Sequence, residues 1–301
     1  MVEAAVGEDV AEVAVVEGAV AETTGRGIVP LGLGMGWRAE VAVAIDRDAS
    51  LKFVEITAEH FVGGRPPRAI YQLRERGLAV IPHGISVSLG SAEGMNINGL
   101  KQLDYLAREF GSPFVSEHLA FVREGGVEAG HLLPVPRTRG ALNVVVENIK
   151  RAQDVLSVPL ALENISALFA WPQADFTDGE FLSLILERTG CLLLLDTSNV
   201  FANAHNLRQS AAVFFDSIPL NRIAYVHVGG GIESDDGLYH DSHAHPITNG
   251  ALKMVEELCA RIEPPGIMLE RDDHFPTEAE LRDELSRITS AMERGRSRRA
   301  G

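Results

Sequence analysis

The chain has 301 residues, 46% of them hydrophobic, and a formal net charge of −15. This length suits one large α/β domain or two small ones. The acidic charge argues against a general nucleic-acid binder, because neutralising phosphates requires a basic surface. No uninterrupted apolar stretch reaches the length that crosses a membrane, so no membrane partner is expected. Cys191 and Cys259 are too few cysteines for a disulfide framework or a thiolate metal site.

Composition divides the chain into three zones. Residues 1–27 form an acidic, Ala/Val-rich extension of low complexity, which we expect to be disordered. The extension lacks the basic start of a secretory signal, so the expected compartment is the cytoplasm. Residues 28–290 form the body of the protein. Residues 291–301 are basic and contain glycine, which predicts a frayed tail.

Strand-like and helix-like runs alternate along the body. The predicted strands are 28–33, 52–56, 79–83, 113–117, 158–163, 191–196, 222–228 and 266–270. The predicted helices are 37–46, 67–76, 98–110, 138–155, 178–188, 206–216, 248–262 and 277–293. This alternation matches one (β/α)8 or TIM barrel, although an open doubly wound sheet would also alternate. No G-x-G-x-x-G fingerprint or P-loop supports a nucleotide cofactor.

Nearly every predicted strand ends in a residue type that binds metals, and the strand ends of a barrel converge on one face. The nine candidate ligands at or just beyond these ends are His83, His118, Glu163, Asp196, Asn199, His227, Asp241, His243 and Glu270. Imidazole and carboxylate suit iron, zinc or manganese. Because one ion takes roughly four to six ligands, the set predicts about two or three ions, with Glu163 able to bridge.

Each candidate also has a structural interpretation. A single histidine at a strand end is more often a hydrogen-bonded structural residue, and a single carboxylate there often caps the next helix. These interpretations apply to His83 or Asp196 taken alone. Accidental placement of the whole set on one barrel face is far less plausible than one site, so we interpret the set as a metal centre.

Seven further residues are candidates for supporting the ligands or for contacting a substrate. They are Glu55, His60, Asn164, His240, His245, Arg137 and Arg139. His60 fits a ligand, a supporting residue or a substrate contact equally well. The two histidines that flank the Asp241 loop could orient ligand imidazoles. The two arginines lie in a Pro-containing segment, where they are either solvated or anchor an acidic substrate group.

The order of these motifs resembles one protein family. The runs GLGMGWR, VEITAEHF, PHGISVSLGS, SEHLAF, ALENIS, LLDTSNVFANAHN, YVHVGGG, HDSHAHPI and LERDD span residues 28–290 and resemble the DUF692 (UPF0276) family. That family is described as multinuclear non-heme iron-dependent oxidases and includes the methanobactin-forming oxidase. The resemblance implies roughly two or three irons that use O2 to oxidise a peptide, typically at cysteine. It also implies a partner protein that binds the leader of the substrate peptide.

The expected barrel is also similar to endonuclease IV and to xylose isomerase-like folds. The nine candidates follow the trinuclear zinc series of the endonuclease, except that Asn199 stands where that enzyme has histidine. An amide oxygen is a weaker, harder ligand, which disfavours a zinc phosphoesterase and fits the oxidase family better. The alternative function is a metal-dependent hydrolase or sugar isomerase or epimerase that uses zinc or manganese. The complete ligand set disfavours a non-catalytic scaffold.

Overall fold

The computed structural model describes residues 28–301, so the predicted extension 1–27 lies outside the described residues. The strands are β1 (Gly32–Gly36), β2 (Phe53–Thr57), β3 (Ala79–Gly84), β4 (Val115–His118), β5 (Ala120–Glu124), β6 (Val127–Pro134), β7 (Leu160–Glu163), β8 (Leu192–Asp196), β9 (Ile223–Val228), β10 (Gly231–Glu233), β11 (Tyr239–Asp241) and β12 (Gly266–Leu269). A closed parallel barrel forms in the order β1–β12–β9–β8–β7–β4–β3–β2. The other strands form two antiparallel hairpins, β5–β6 and β10–β11. This topology confirms the predicted (β/α)8 barrel.

Helices follow the barrel strands and pack around them. They are α1 (Ala42–Arg47), α2 (Arg68–Glu75), α3 (Ile97–Phe110), α4 (Arg139–Val155), α5 (Asp178–Thr189), α6 (Thr197–Asn206), α7 (Ala211–Ser217), α8 (Asn249–Cys259) and α9 (Glu278–Ala300). Capping boxes at Thr177 and Thr277 begin α5 and α9 and satisfy backbone amides that a helix start leaves free. Within residues 28–301, no helix combines the length and the apolar character needed to cross a membrane.

Large apolar side chains fill the barrel below its carboxyl-terminal strand ends. Phe53, Phe114, Tyr225 and Met268 are fully buried there. The Tyr225 ring stacks on Phe114 at 5.5 Å and meets Phe53 edge-on at 5.9 Å. Phe53 fits because Gly34 has no side chain: a Cβ atom at Gly34 would lie 2.4 Å from the Phe53 ring. The polar strand ends therefore stand on a packed apolar floor.

Two predicted boundaries in the body are wrong. β1 lies at 32–36 and overlaps the predicted strand 28–33 only at its end. The predicted helix 206–216 corresponds to α7 alone, and the prediction missed α6, which begins directly after β8 and ends at Asn206. The Asp196 carboxylate caps α6 by accepting hydrogen bonds from the amides of Ser198 and Asn199, at 2.6 and 2.9 Å.

The frayed tail predicted at 291–301 is also wrong, because α9 continues to Ala300. Arg296 and Arg299 form ion pairs with Glu263, and further arginines of the tail pair with α8. Gly295 allows close approach of the two helices, since a Cβ atom there would lie 2.5 Å from a backbone oxygen of α8. Complementary charge and close packing therefore extend the helix into a sequence that looks disordered on composition alone.

Candidate metal centre

Glu163, the last residue of β7, lies between three imidazoles from other barrel strands. Its Oε2 atom is 3.3 Å from Nε2 of His118 on β4 and 3.5 Å from Nε2 of His83 on β3. Its Oε1 atom is 3.4 Å from Nδ1 of His227 on β9. All four side chains are buried. Three nitrogen atoms thus face one carboxylate at the carboxyl-terminal end of the barrel.

A second set of side chains surrounds His243, in the loop between β11 and α8. Its Nε2 atom is 2.9 Å from Oδ2 of Asp241 and 3.6 Å from Oδ2 of Asp196. Its Nδ1 atom is 3.3 Å from Oε2 of Glu270 and 3.5 Å from Oδ2 of Asp272. His243 has a positive φ of 49°, a backbone conformation that residues other than glycine rarely adopt. The loop is therefore held in a strained backbone conformation that turns its imidazole toward these carboxylates.

The two sets join into four overlapping groups, and the ligand atoms of each group lie within 4.8 Å of one another. The groups are His83–His118–Glu163, Glu163–Asp196–His227–Glu270, Asp196–Asp241–His243 and His243–Glu270–Asp272. Glu163, Asp196 and Glu270 each belong to two groups. A carboxylate has two oxygens, so these residues could each contact two ions. The overlap suits several neighbouring ions better than one.

Five buried polar atoms of this cluster have no hydrogen-bond partner within residues 28–301. They are Oε2 of Glu163, Oδ2 of Asp196, Nδ1 of His227, Oδ1 of Asp241 and Oε2 of Glu270. Native proteins rarely leave buried polar atoms unpaired without a bound ion, a water or a functional reason. These nitrogen and oxygen atoms suit iron, zinc or manganese. The residues present therefore fit a centre of several such ions.

The same side chains shift one another's pKa values. Burial alone lowers the pKa of His118, but Glu163, Glu117 and Glu270 together outweigh burial and raise it to about 9. Burial alone raises the pKa of Glu163, but His118, His227 and His83 together outweigh burial and lower it to about 2. Burial raises the pKa of Asp196 to about 7. The cluster thus favours positive charge next to its carboxylates, which protons or metal ions can supply.

The structure brings eight of the nine predicted ligands into this cluster. The ninth, Asn199, lies in the first turn of α6 and borders the cleft above. Its side-chain amide donates a hydrogen bond to the backbone oxygen of Asn164 at 3.0 Å. The Asn164 side chain in turn bonds both the amide and the carbonyl of Asp196, at 2.9 Å each. Metal ligation by the nine residues stays a prediction, whereas the placement of Asn164 shows how the end of β8 is held.

Two other supporting candidates, Glu55 and His240, lie at the cluster or its rim, and a third, His245, contacts a residue that lines the cleft. Glu55 on β2 is buried below the cluster and accepts a hydrogen bond from Nε2 of His227 at 2.8 Å. His240 on β11 borders the cleft. His245 contacts the hydroxyl of Ser242 at 2.9 Å through its Nδ1 atom. Glu55 is therefore the candidate placed to orient a ligand imidazole directly.

The remaining three candidates do not border the cleft in the described part of the chain. His60 is exposed in a short 3₁₀ turn at Ala58–Phe61. Arg137 forms an ion pair with Asp178 and borders an apolar cavity that adjoins the cleft. Arg139 is exposed at the start of α4. Neither arginine is placed to anchor a substrate group at the cluster.

Sequence reasoning missed four residues of the site. Arg38, just after β1, borders the cleft and forms an ion pair with Asp272, which belongs to one of the ligand groups. Ser116 and Tyr225 lie under the cluster and contact each other at 2.7 Å. Each of these two precedes a ligand histidine by two positions, and residues two apart in a strand share a face. That spacing, and the position of Asp272 in the run LERDD, are the signals that could have found them.

An open cleft of about 830 Å³ leads to the cluster. The hairpin strand β6 lines one part of it, and residues 165–169 line another. Ile85, Leu168 and Phe169 border the cleft with 39%, 45% and 44% of their surface exposed. The cluster therefore forms the polar floor of a cleft with an apolar rim.

The fold and the cluster define a (β/α)8 barrel with a candidate site for several metal ions. Residues 32–293 match the family described as the RiPP precursor modification enzyme MbnB/TglH/ChrH. The chain belongs to this family, which confirms the resemblance seen in the motifs.

Curated relatives carry the name UPF0276 protein, which states no activity. One from Streptomyces avermitilis is 46% identical over 280 residues, covering 91% of this chain and 57% of the relative. The chain thus spans little more than half of that relative's length. One from Caulobacter vibrioides is 35% identical and covers 88% of this chain and 95% of the relative.

Solved structures of low identity share the fold. An L-ribulose 3-epimerase superposes with a TM-score of 0.57 at 17% identity, covering 88% of this chain and 95% of that chain. The 3-keto-D-glucoside 4-epimerase YcjR from E. coli gives 0.54 at 15% identity, covering 86% and 99%. At these identities the likeness concerns the barrel alone.

Proposed function

We propose that the protein is a multinuclear iron-dependent oxidase that uses O2 to modify a ribosomally made peptide at cysteine. The observation that carries this proposal is the cluster of eight imidazole and carboxylate side chains at the floor of the cleft, five of whose buried atoms lack partners. Its occurrence in a family of RiPP precursor modification enzymes supports a peptide substrate. When bound, iron would supply the redox chemistry toward O2 that protein side chains lack.

The protein's own residues would hold and enclose the ions. His83, His118 and Glu163 would hold one ion. Glu163 would also help to hold a second ion, together with Asp196, His227 and Glu270. The His243 loop would close the site from above, and Gly229 makes room for it. A Cβ atom at Gly229 would lie 2.3 Å from the His243 ring, so any larger residue would displace that imidazole.

The substrate would have to bring the reactive thiol. Cys191 and Cys259 are both buried and do not border the cleft in the described residues. Burial raises the pKa of each thiol to about 11, which disfavours the reactive thiolate. An open cleft with an apolar rim and a polar floor suits an extended peptide segment that contacts the rim and places one side chain at the cluster.

The family resemblance supports a partner protein that binds the leader of the precursor peptide. It also supports action in the cytoplasm, where such a precursor is synthesised.

The alternative is a metal-dependent hydrolase or epimerase on the same barrel. One observation favours it: a nitrogen and oxygen ligand set also accepts zinc or manganese. Metal identity and O2 dependence separate the two functions, because zinc does not change its redox state.

The test uses the full chain, stripped of metal and then loaded with Fe(II) under anaerobic conditions or with Zn(II). Each form is offered a cysteine-containing precursor peptide together with a leader-binding partner protein. We expect iron-dependent O2 uptake and a mass change on the peptide, both abolished by His227→Ala. Hydrolysis of abasic DNA by the zinc form, with no O2 uptake by the iron form, would replace the oxidase with a hydrolase.

A further inference from the structure

A buried chain of hydrogen bonds connects two of the candidate ligands from below. His83 Nδ1 lies 2.9 Å from the hydroxyl of Ser116, which lies 2.7 Å from the hydroxyl of Tyr225. Tyr225 donates to Oε2 of Glu55 at 2.5 Å, and Nε2 of His227 meets the same oxygen at 2.8 Å. These five side chains come from four barrel strands and are at most 3% exposed.

The direction of each bond follows from the number of protons available. The Tyr225 hydroxyl and Nε2–H of His227 both donate to Oε2 of Glu55, because an ionised carboxylate can only accept hydrogen bonds. Tyr225 has one hydroxyl proton and gives it to Glu55, so Ser116 must donate to Tyr225. Ser116 also has a single proton, so it accepts from Nδ1–H of His83. The chain therefore runs from both histidines toward Glu55.

This direction leaves one lone pair on each imidazole. His83 keeps its lone pair on Nε2, which faces Oε2 of Glu163 at 3.5 Å. His227 keeps its lone pair on Nδ1, which lies 2.8 Å from Oε2 of Glu270 and 3.4 Å from Oε1 of Glu163. Both lone pairs thus point into the candidate metal centre, through different ring nitrogens. A lone pair on the opposite nitrogen would point away from it.

We propose that Glu55 is a positioning residue that fixes the tautomers of His83 and His227, the first through Tyr225 and Ser116. The inference rests on the metal centre of the proposed function but not on its oxidase activity. Because His83 and His227 belong to different ligand groups, one buried carboxylate prepares two metal positions at once. Ligand histidines commonly need such partners, and losing one weakens metal binding by about 10–100-fold.

The two ends of the chain can be separated by substitution. Tyr225→Phe keeps the buried ring but removes the acceptor of the Ser116 proton, which can then turn toward Nδ1 of His83. Glu55→Gln replaces one carboxylate oxygen with an NH2 group, which donates hydrogen bonds, so the shared acceptor of Tyr225 and His227 can be lost. We therefore expect Tyr225→Phe to affect His83 alone, and Glu55→Gln to affect both histidines. Ser112→Ala is the matched control, since Ser112 is also buried, lies just before β4 and donates to the backbone oxygen of Phe114.

The experiment measures tautomers directly, by long-range ¹H–¹⁵N spectra of the histidines in the full chain loaded with Zn(II), a diamagnetic probe. The wild type should coordinate through Nε2 of His83 and Nδ1 of His227. Competition with a chromophoric chelator should show zinc affinity about 10–100-fold lower in Glu55→Gln and unchanged in Ser112→Ala. Thermal melts establish that each variant is folded.

The outcomes distinguish this inference from the proposed function. If the wild type binds zinc and Glu55→Gln keeps both tautomers and the wild-type affinity, the positioning role is refuted while the metal centre stands. A Tyr225→Phe variant in which His227 changes and His83 does not would also refute it. A wild type that binds neither zinc nor iron would overturn the metal centre itself, and this role with it.

Discussion

Replacing Glu163 by glutamine tests whether neighbouring ions share ligands. Glu163 belongs to two of the four ligand groups and faces three imidazoles at 3.3–3.5 Å. Glu163→Gln keeps the size of the side chain but removes its charge and one acceptor oxygen. The group with His83 and His118 is then left with two imidazoles, which is too few protein ligands for a stable site. We therefore expect the variant to lose at least one ion and to bind the rest more weakly.

The magnitude follows from the role of the carboxylate that is removed. Removing a partner that merely orients a ligand costs about 10–100-fold in affinity, so removing a charged ligand shared by two groups should cost at least about 100-fold. At saturating metal, a 100-fold weaker affinity removes about 2.7 kcal/mol of metal-dependent stabilisation. The assays are elemental analysis after anaerobic reconstitution with Fe(II), and thermal melts with and without metal.

Glu117→Gln is the matched control for this experiment. Glu117 lies on β4, is 1% exposed and accepts hydrogen bonds from the amides of Val87 and His118. It belongs to none of the ligand groups found in the described residues. The control should melt at a lower temperature but keep the wild-type number of ions, because Nδ1 of His118, 3.5 Å from Glu117, still has the backbone oxygen of Gly84 as a hydrogen-bond acceptor at 3.0 Å. Equal metal content and affinity in Glu163→Gln and wild type would refute the shared-ligand argument.

Three further predictions concern stability and reactivity. Glu284→Gln should lower the free energy of unfolding by about 3–5 kcal/mol in denaturant titrations, because it leaves the buried Arg271 guanidinium without its 2.6 Å partner; a decrease below about 1 kcal/mol would contradict this. Gly295→Ala should destabilise the protein in thermal melts, although Ala usually favours a helix over Gly by about 1 kcal/mol, since the added Cβ atom would meet a backbone oxygen of α8 at 2.5 Å. Cys191 and Cys259 should not react with a thiol reagent at pH 8 until the protein unfolds; rapid labelling of the native protein would show that burial does not protect them.

The barrel and most of its candidate ligands were predictable because both follow from the local sequence pattern of short apolar runs that end in His, Asp or Glu. Each buried strand is a short apolar run, and the closed parallel topology brings the ends of such runs to one face. His83, His118, Glu163 and His227 could therefore be placed at that face from their positions at strand ends.

The parts that could not be predicted depend on interactions between distant segments. The α6 helix starts early because Asp196 both ends β8 and caps α6, so one residue serves two elements. The strands β5 and β6 contain charged and glycine residues that resemble a loop, and only their pairing makes them a hairpin. The tail of α9 depends on acidic partners such as Glu263, more than thirty positions away.

The barrel topology also explains why the ligand groups overlap. His83, His118, Glu163, Asp196 and His227 lie on five consecutive strands in the barrel order, β3, β4, β7, β8 and β9, and Glu270 directly follows β12, the next strand. Neighbouring strands are about 4.8 Å apart, so a side chain at one end reaches the ligand atoms of both neighbours. Separate metal sites would require strands without ligands between the contributing strands, and there is no such strand between β3 and β12. The other two strands, β1 and β2, hold no ligand of these groups, and β2 instead provides Glu55 beneath them. The sharing of carboxylates between groups is therefore a geometric consequence of candidate ligands on adjacent strands. The supporting residues lie either on a strand without such a ligand, as Glu55 does on β2, or two positions before a candidate ligand in the same strand, as Ser116 and Tyr225 do.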